Sequence, residues 1–258
     1  MERKAATQLP PTYWRESARP LTSLFFVLPF LATYELGMLT LNQQGLRNGV
    51  DVWLRNSLSH LGFGQYFLLP LLTCAVLLAW HHLRGEHWRA DRRVLGGMGI
   101  ESLALGLALL IWAHGLSGLM RSCEISWPGY ICATGYSRGV NWNHAVGMLG
   151  AGIYEELFFR LMLIPALVGG LATVCTCSKT RLFSAVLISS VLFSAAHYRW
   201  EIDLGAIYWA SDFGEAFSWT TFLFRATAGL FFAGLFVTRG FGIAVGAHAL
   251  YDVLVVLS

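Results

Sequence analysis

Charge is what this chain has least of. Of its 258 residues, 13% are Asp, Glu, Lys or Arg, about half the share of an ordinary soluble domain. The formal net charge is only +3, and no basic stripe is present, which argues against nucleic acid as a partner. Cysteine is sparse too. Cys74, Cys123, Cys132, Cys175 and Cys177 fall in no zinc-binding spacing, and the HExxH helix motif of zinc peptidases is missing. There is no internal repeat, no low-complexity tract and no stretch polar enough for a soluble domain.

What fills the chain is apolar. Hydrophobic residues make up 55% and the mean hydropathy is +0.54, the signature of an integral membrane protein whose partner is the lipid bilayer. The expected fold is all-α: a polytopic transmembrane helical bundle. Spans of about 20 residues are read at 21–41, 65–82, 97–119, 142–171, 182–198, 219–237 and 241–257. Seven is the count, with six to eight as its bounds. The fourth is long, and Pro165, Gly169 and Gly170 are expected to kink or end it. The first lacks a clear cleavage site and reads as an uncleaved span. Before the second lies NGVDVWLRNSLSHLG, whose Val50, Trp53, Leu54, Leu58 and Leu61 recur at helical spacing, as in an interfacial amphipathic helix. Residues 1–20 read as a polar basic segment and 21–258 as one membrane domain.

Lys and Arg mark the loops. Arg3, Lys4, Arg15, Arg19, Arg84, Arg89, Arg92, Arg93, Lys179, Arg181 and Arg239 share one side, against Arg47, Arg55, Arg121, Arg138 and Arg199 on the other. The richer side is expected to be cytoplasmic. Cys123 and Cys132 then share an outward loop, where they can pair as a disulfide.

Against this background the ionisable residues in the spans stand out: Glu35, Glu101, Glu155, Glu156, Arg160, His197, Arg225, His248 and Asp252. Such groups are costly in hydrocarbon, so they face a bundle interior or wet cavity and mark function or paired structure. In GAGIYEELFFRLMLIP, Glu156 and Arg160 are i, i+4 and can neutralise one another. Glu155, about 100° round the helix, has no such partner on its own helix and is left to act as a base. His197 ends the fifth span. His248 and Asp252 share a face of the last, after the small residues Gly242, Ala244, Gly246 and Ala247 that permit close helix approach. Each feature also has a structural reading: an ion pair, an interfacial histidine, an orienting pair. Glu35 and Glu101 are read as structural, with Arg225 or Arg160 as partners.

Three motifs occur in order. EELFFR fits EExxxR, FSAAH fits FxxxH and HALYD fits HxxxN/D. Together they resemble the CAAX-protease and bacteriocin-processing (CPBP, Abi) family of intramembrane proteases, whose best-known members are the type II CAAX prenyl endopeptidases. The resemblance covers about 140–258. It implies an endopeptidase that hydrolyses a peptide bond within a membrane cavity, acting on a peptide or protein substrate, lipidated or not. Mapped by motif, Glu155 is the general base and His197 its partner. His248 and Asp252 serve the oxyanion, and Glu156 and Arg160 hold the site. An ionised Asp252 has no proton to donate, so the preferred role for it is to orient His248 and favour its imidazolium. Metal-free chemistry is favoured. Zinc held by Glu155, His197 and His248 is the alternative. The expected location is the plasma (inner) membrane of a prokaryote. The sequence leaves the oligomeric state open. Two other readings stay open: a proton- or ion-coupled transporter, and a non-catalytic immunity or scaffold protein of the same family. Convergence of Glu155, His197 and His248 on one water-sized site would separate hydrolysis from a charge relay.

Overall fold

The structure is a computed structural model that describes residues 12–41, 47, 49–64, 66–122, 142–203, 208–211 and 214–257. Cys123 and Cys132 lie outside these, so the disulfide expectation does too. A helix occupies each of the seven expected spans: α2 (Pro20–Leu41), α4 (Leu68–Arg84), α5 (Arg92–Ser122), α6 (Trp142–Glu156) continuing through a π-helical turn at Leu157–Leu163 into α7 (Ile164–Gly170), α8 (Ser178–Ala195), α9 (Trp219–Arg239) and α10 (Phe241–Leu257). Two short helices join them, α1 (Tyr13–Ser17) and α3 (Gly49–His60).

Four stretches are long and apolar enough to cross a membrane: Pro20–Leu41, Arg92–Gly118, Asn143–Thr173 and Trp219–Arg239. Leu68–Arg84 and Phe241–Leu257 are apolar but shorter. The chain is an integral membrane protein. Its outer surface fits that solvent: Ile100 and Ile111 on α5 are 74% and 72% exposed, unfavourable in water and at home against lipid.

α10 sits at the centre. Residues Phe241 to Ala249 are all buried, because α10 packs against α2, α5, α6 and α9 at once. Small residues make this possible. A Cβ on Gly152 of α6 would lie 2.6 Å from the Ala249 backbone of α10, and one on Gly106 of α5 would lie 3.2 Å from the Ala247 carbonyl. The core between these helices is built from Leu24, Val27, Leu31, Met98, Leu157, Phe232, Ile243 and Val245, among others.

Three features depart from the sequence expectations. The fold is not wholly helical: β1 (Trp200–Asp203) and β2 (Tyr208–Ser211) form an antiparallel hairpin between α8 and α9. Short runs such as WEID and YWAS, rich in aromatic and β-branched residues, suit strands but are easily passed over as a loop. The segment read as a polar N-terminus also ends in structure. α1 is tied to the bundle by Tyr13 Oη donating to Glu101 (2.5 Å) and by the Arg239 guanidinium lying 3.7 Å over the Trp14 ring. Finally, the partners foreseen for Glu35 and Glu101 are different. Glu101 pairs with Arg239 (2.7 Å), and Glu35 pairs with Arg55 of α3 (2.7 Å). Arg225 instead meets Glu215 at 2.5 Å, and Arg160 stays with Glu156. Helical spacing reports neighbours on one helix, and the Glu35 and Glu101 pairs join different elements.

Candidate active site

The α6 sequence carries Glu155 and Glu156 into the bundle just before the helix widens. Both are buried, and so is Arg160 in the π-helical turn. π-turns in helices are frequent at functional sites. Here the wide turn leaves the Phe159 carbonyl reachable from α8, and Ser189 Oγ donates to it at 2.8 Å. Arg160 Nη1 lies 3.2 Å from Glu156 Oε1, the expected i, i+4 pair, while Nη2 donates to the Gly229 carbonyl of α9 at 3.1 Å. The guanidinium also covers the Phe193 ring, 4.3 Å from its centroid. A buried cation is costly unless paired and hydrogen-bonded. Arg160 has Glu156 as its counter-charge and one hydrogen bond through Nη2, while Nε and Nη1 make none among the described residues.

His248 enters from α10. Its Nδ1 is 2.8 Å from Glu156 Oε1, and its ring stacks on Phe232 at 4.3 Å with planes 12° apart. The contact with Asp252 exists but is long, 3.5 Å from Nε2. Asp252 was expected to orient this ring, yet the shorter hold belongs to Glu156. Sequence spacing had no means to show that pair, whose members are 92 residues apart.

His197 follows α8 in a turn, with its N–H bonded to the Ser194 carbonyl at 3.2 Å. Its Nδ1 lies 2.8 Å from the Phe193 carbonyl. A carbonyl only accepts, so Nδ1 carries the proton and the other nitrogen presents a lone pair in the neutral ring. The root of the hairpin holds the backbone here. Glu215 N–H donates to the His197 carbonyl at 3.1 Å, and Gly214, at φ +110°, packs so closely that a Cβ would lie 2.5 Å from that oxygen. Gly214 and Glu215 escaped the sequence reading, and only the hairpin could have pointed to them.

Glu155 is the point of convergence. Its Oε2 is 3.7 Å from His197 Nε2 and 3.9 Å from His248 Nε2. Neither distance is a direct hydrogen bond, but one water can lie within bonding reach of two groups so spaced. The six residues mapped by motif thus form one cluster contributed by α6, the π-turn, the end of α8 and α10.

The match to known proteins falls on this same part of the chain. Residues 137–254 fit the family described as Rce1-like: Type II CAAX prenyl endopeptidase Rce1-like. This segment is an Rce1-like domain. The match supports the resemblance of this segment to the CPBP family, which is a family of proteases. No curated protein and no solved structure matches the chain. The Rce1-like domain spans α6 to α10, so every residue of the cluster lies within it, while α1 to α5 lie outside.

Within the Rce1-like domain the zinc alternative would use Glu155, His197 and His248. Zinc bonds of about 2.0–2.1 Å at tetrahedral angles set donor atoms roughly 3.3 Å apart, closer than the 3.7 and 3.9 Å seen here. Among the described residues no group of three His, Cys, Asp or Glu side chains is arranged to hold a metal ion. As placed, these donor atoms stand wider apart than zinc requires, and no step below is routed through it.

Proposed function

We propose that this protein is an intramembrane endopeptidase in which Glu155 and His197 activate a water. The observation that carries the reading is the placement of Glu155 Oε2 between His197 Nε2 and His248 Nε2, at 3.7 and 3.9 Å. Hydrolysis of an amide needs a base for the water and a proton donor facing the carbonyl oxygen as it becomes an anion. The water donates one hydrogen to Glu155 and another to the Nε2 lone pair of His197. As it attacks the peptide carbonyl, Glu155 takes its proton. The C=O π pair moves onto oxygen, and His248, as an imidazolium with Nδ1–H on Glu156, donates from Nε2 to that oxyanion. Collapse restores the carbonyl and breaks the C–N bond. Glu155 returns the proton to the leaving nitrogen. Glu156 fixes the ring of His248, Arg160 balances Glu156, and Asp252 stands beside the donor without touching the reacting atoms.

The substrate on this reading is an extended peptide, prenylated or not, reached from within a bilayer. We place the protein in a prokaryotic plasma membrane with all seven helices spanning it. Convergence on one point supports hydrolysis over a transport relay. The test is cleavage of fluorogenic peptides, with and without a prenyl group, by purified protein in liposomes. Wild type and Glu155→Gln are compared with and without phenanthroline. Cleavage abolished by the substitution and indifferent to the chelator supports the mechanism. Equal cleavage by both proteins rejects it. Loss on chelation, restored by zinc, would turn Glu155, His197 and His248 into metal ligands.

A further inference from the structure

The residue before the candidate base is tied to a second ionic cluster outside the Rce1-like domain. Tyr154 Oη donates to Glu35 Oε1 of α2. The same oxygen accepts from Arg55 Nη2 of α3 at 2.7 Å. Arg55 Nε donates to Asp51 Oδ1 at 2.6 Å, while Asp51 Oδ2 accepts from Tyr34 Oη at 2.6 Å and from Arg47 Nη1 at 2.7 Å. Glu35, Asp51, Tyr34 and Tyr154 are all buried. Glu35 Oε2 makes no hydrogen bond among the described residues, so its whole hold on Tyr154 and Arg55 runs through one oxygen.

Buried ion pairs of this kind are poor sources of stability, because desolvation offsets most of their attraction. What they supply is direction. The chain needs direction here, because Tyr154 lies two residues before Glu156, where α6 gives way to the π-turn. That junction is gripped from the α8 side by Ser189 and from α9 by the Gly229 carbonyl. From the α2 and α3 side the grip is Glu35 on Tyr154, with Trp53 of α3 packed edge-to-face on Phe158 at 5.0 Å.

We infer that Glu35, backed by Arg55, is a positioning residue that acts through Tyr154 to hold Glu155 at its distance from His197. The inference rests on the reading of Glu155 as the base, and its test must separate the two. Imidazole nitrogen shifts of histidine-labelled protein in nanodiscs give the titration midpoint of His197, whose charged neighbours are Glu155, Arg225 and His248. The comparison covers wild type, Tyr154→Phe, Glu35→Leu, Glu35→Gln and, as reference, Glu155→Gln. Tyr154→Phe keeps the ring against Tyr34 (5.7 Å between centroids) and loses only the hydroxyl. Its midpoint, and that of Glu35→Leu, is expected to move at least half-way towards the Glu155→Gln value. Glu35→Gln, whose amide oxygen still accepts from Tyr154, should stay with wild type. A wild-type midpoint in Tyr154→Phe overturns the inference, and so does a Glu155→Gln midpoint equal to wild type. Should Glu35→Leu not fold, Tyr154→Phe decides alone. On any cleaved peptide, Tyr154→Phe should lower kcat about tenfold to a hundredfold with KM unchanged, the scale of a misplaced catalytic group. Full cleavage by Glu155→Gln rejects the function but leaves the titration to judge the positioning link.

Discussion

Two clusters of ionisable residues lie in this bundle, and they are built differently. The one at α2 and α3, with Glu35, Asp51, Arg47 and Arg55, closes on itself through side-chain bonds of 2.6 to 2.7 Å. The one at the end of α6 closes on one flank only. Glu156 bonds His248 at 2.8 Å and meets Arg160 at 3.2 Å. On its other flank the spacing opens to 3.5, 3.7 and 3.9 Å around Asp252, His197 and Glu155. Satisfied short contacts leave no room for a reactant. The looser flank is spaced so that one water can bridge its groups, and the closed flank holds its rim in place. Burial and charge alone do not distinguish structure from chemistry in a membrane protein; the spacing does.

The largest effect should come from the open flank. Glu155→Gln keeps the volume and removes the base, so kcat should fall about 10²- to 10⁴-fold, with the thermal unfolding midpoint in detergent unchanged. A large loss of stability in this variant would make Glu155 a structural residue like those of the other cluster. The closed flank should answer in the opposite currency. Arg160→Leu leaves Glu156 buried without its cation, and removing one partner of a buried pair costs about 3–5 kcal/mol. A marked drop in the yield of folded protein and in its unfolding midpoint is expected, read by fluorescence melting. An unchanged midpoint would show that His248 alone can satisfy Glu156.

Much of this contrast was legible beforehand, and the rest was hidden for a definite reason. The positions of the helices, α3 among them, and the membership of the cluster follow from hydropathy, helical spacing and three short motifs. The Glu156–Arg160 pair follows from i, i+4 geometry on one helix. The Glu156–His248 and Glu35–Tyr154 bonds join helices far apart in the chain, and no local periodicity encodes them. The π-turn escaped too, since LFFRLML has the composition of any buried helix. The hairpin that fixes His197 rests on short aromatic runs that a hydropathy reading of a membrane protein assigns to loops.

The junction between the two flanks gives a smaller effect. Glu156 holds His248 through a 2.8 Å bond, whereas Asp252 reaches His248 only through a 3.5 Å contact. A hydrogen bond to a charged group is worth about 1.5–3 kcal/mol, so Glu156→Gln should lower kcat roughly tenfold to a hundredfold. Asp252→Asn, which keeps the shape and adds an amide donor, should stay within about tenfold of wild type. Steady-state kinetics on one peptide check both. The reverse order would return the orienting role to Asp252.

The smallest effect lies at the far end of the bundle, where a closed contact meets water. Tyr13 Oη donates to Glu101 at 2.5 Å. Partial burial first, then that bond and the Glu101 charge, push the phenol from 10.0 up to about 12. A raised pKa in the folded state means the contact supports folding fully below the ordinary tyrosine value near 10 and loses that support as pH rises towards about 12. The difference in phenolate absorbance between wild type and Tyr13→Phe should therefore show no ionisation of Tyr13 around pH 10. Glu101→Gln removes the negative charge and should bring the midpoint down towards that of free tyrosine. A Tyr13 that already titrates at its ordinary pH in the wild type would mean that the contact with Glu101 is open, and that α1 is held by its other contacts, the Arg239–Trp14 stack among them.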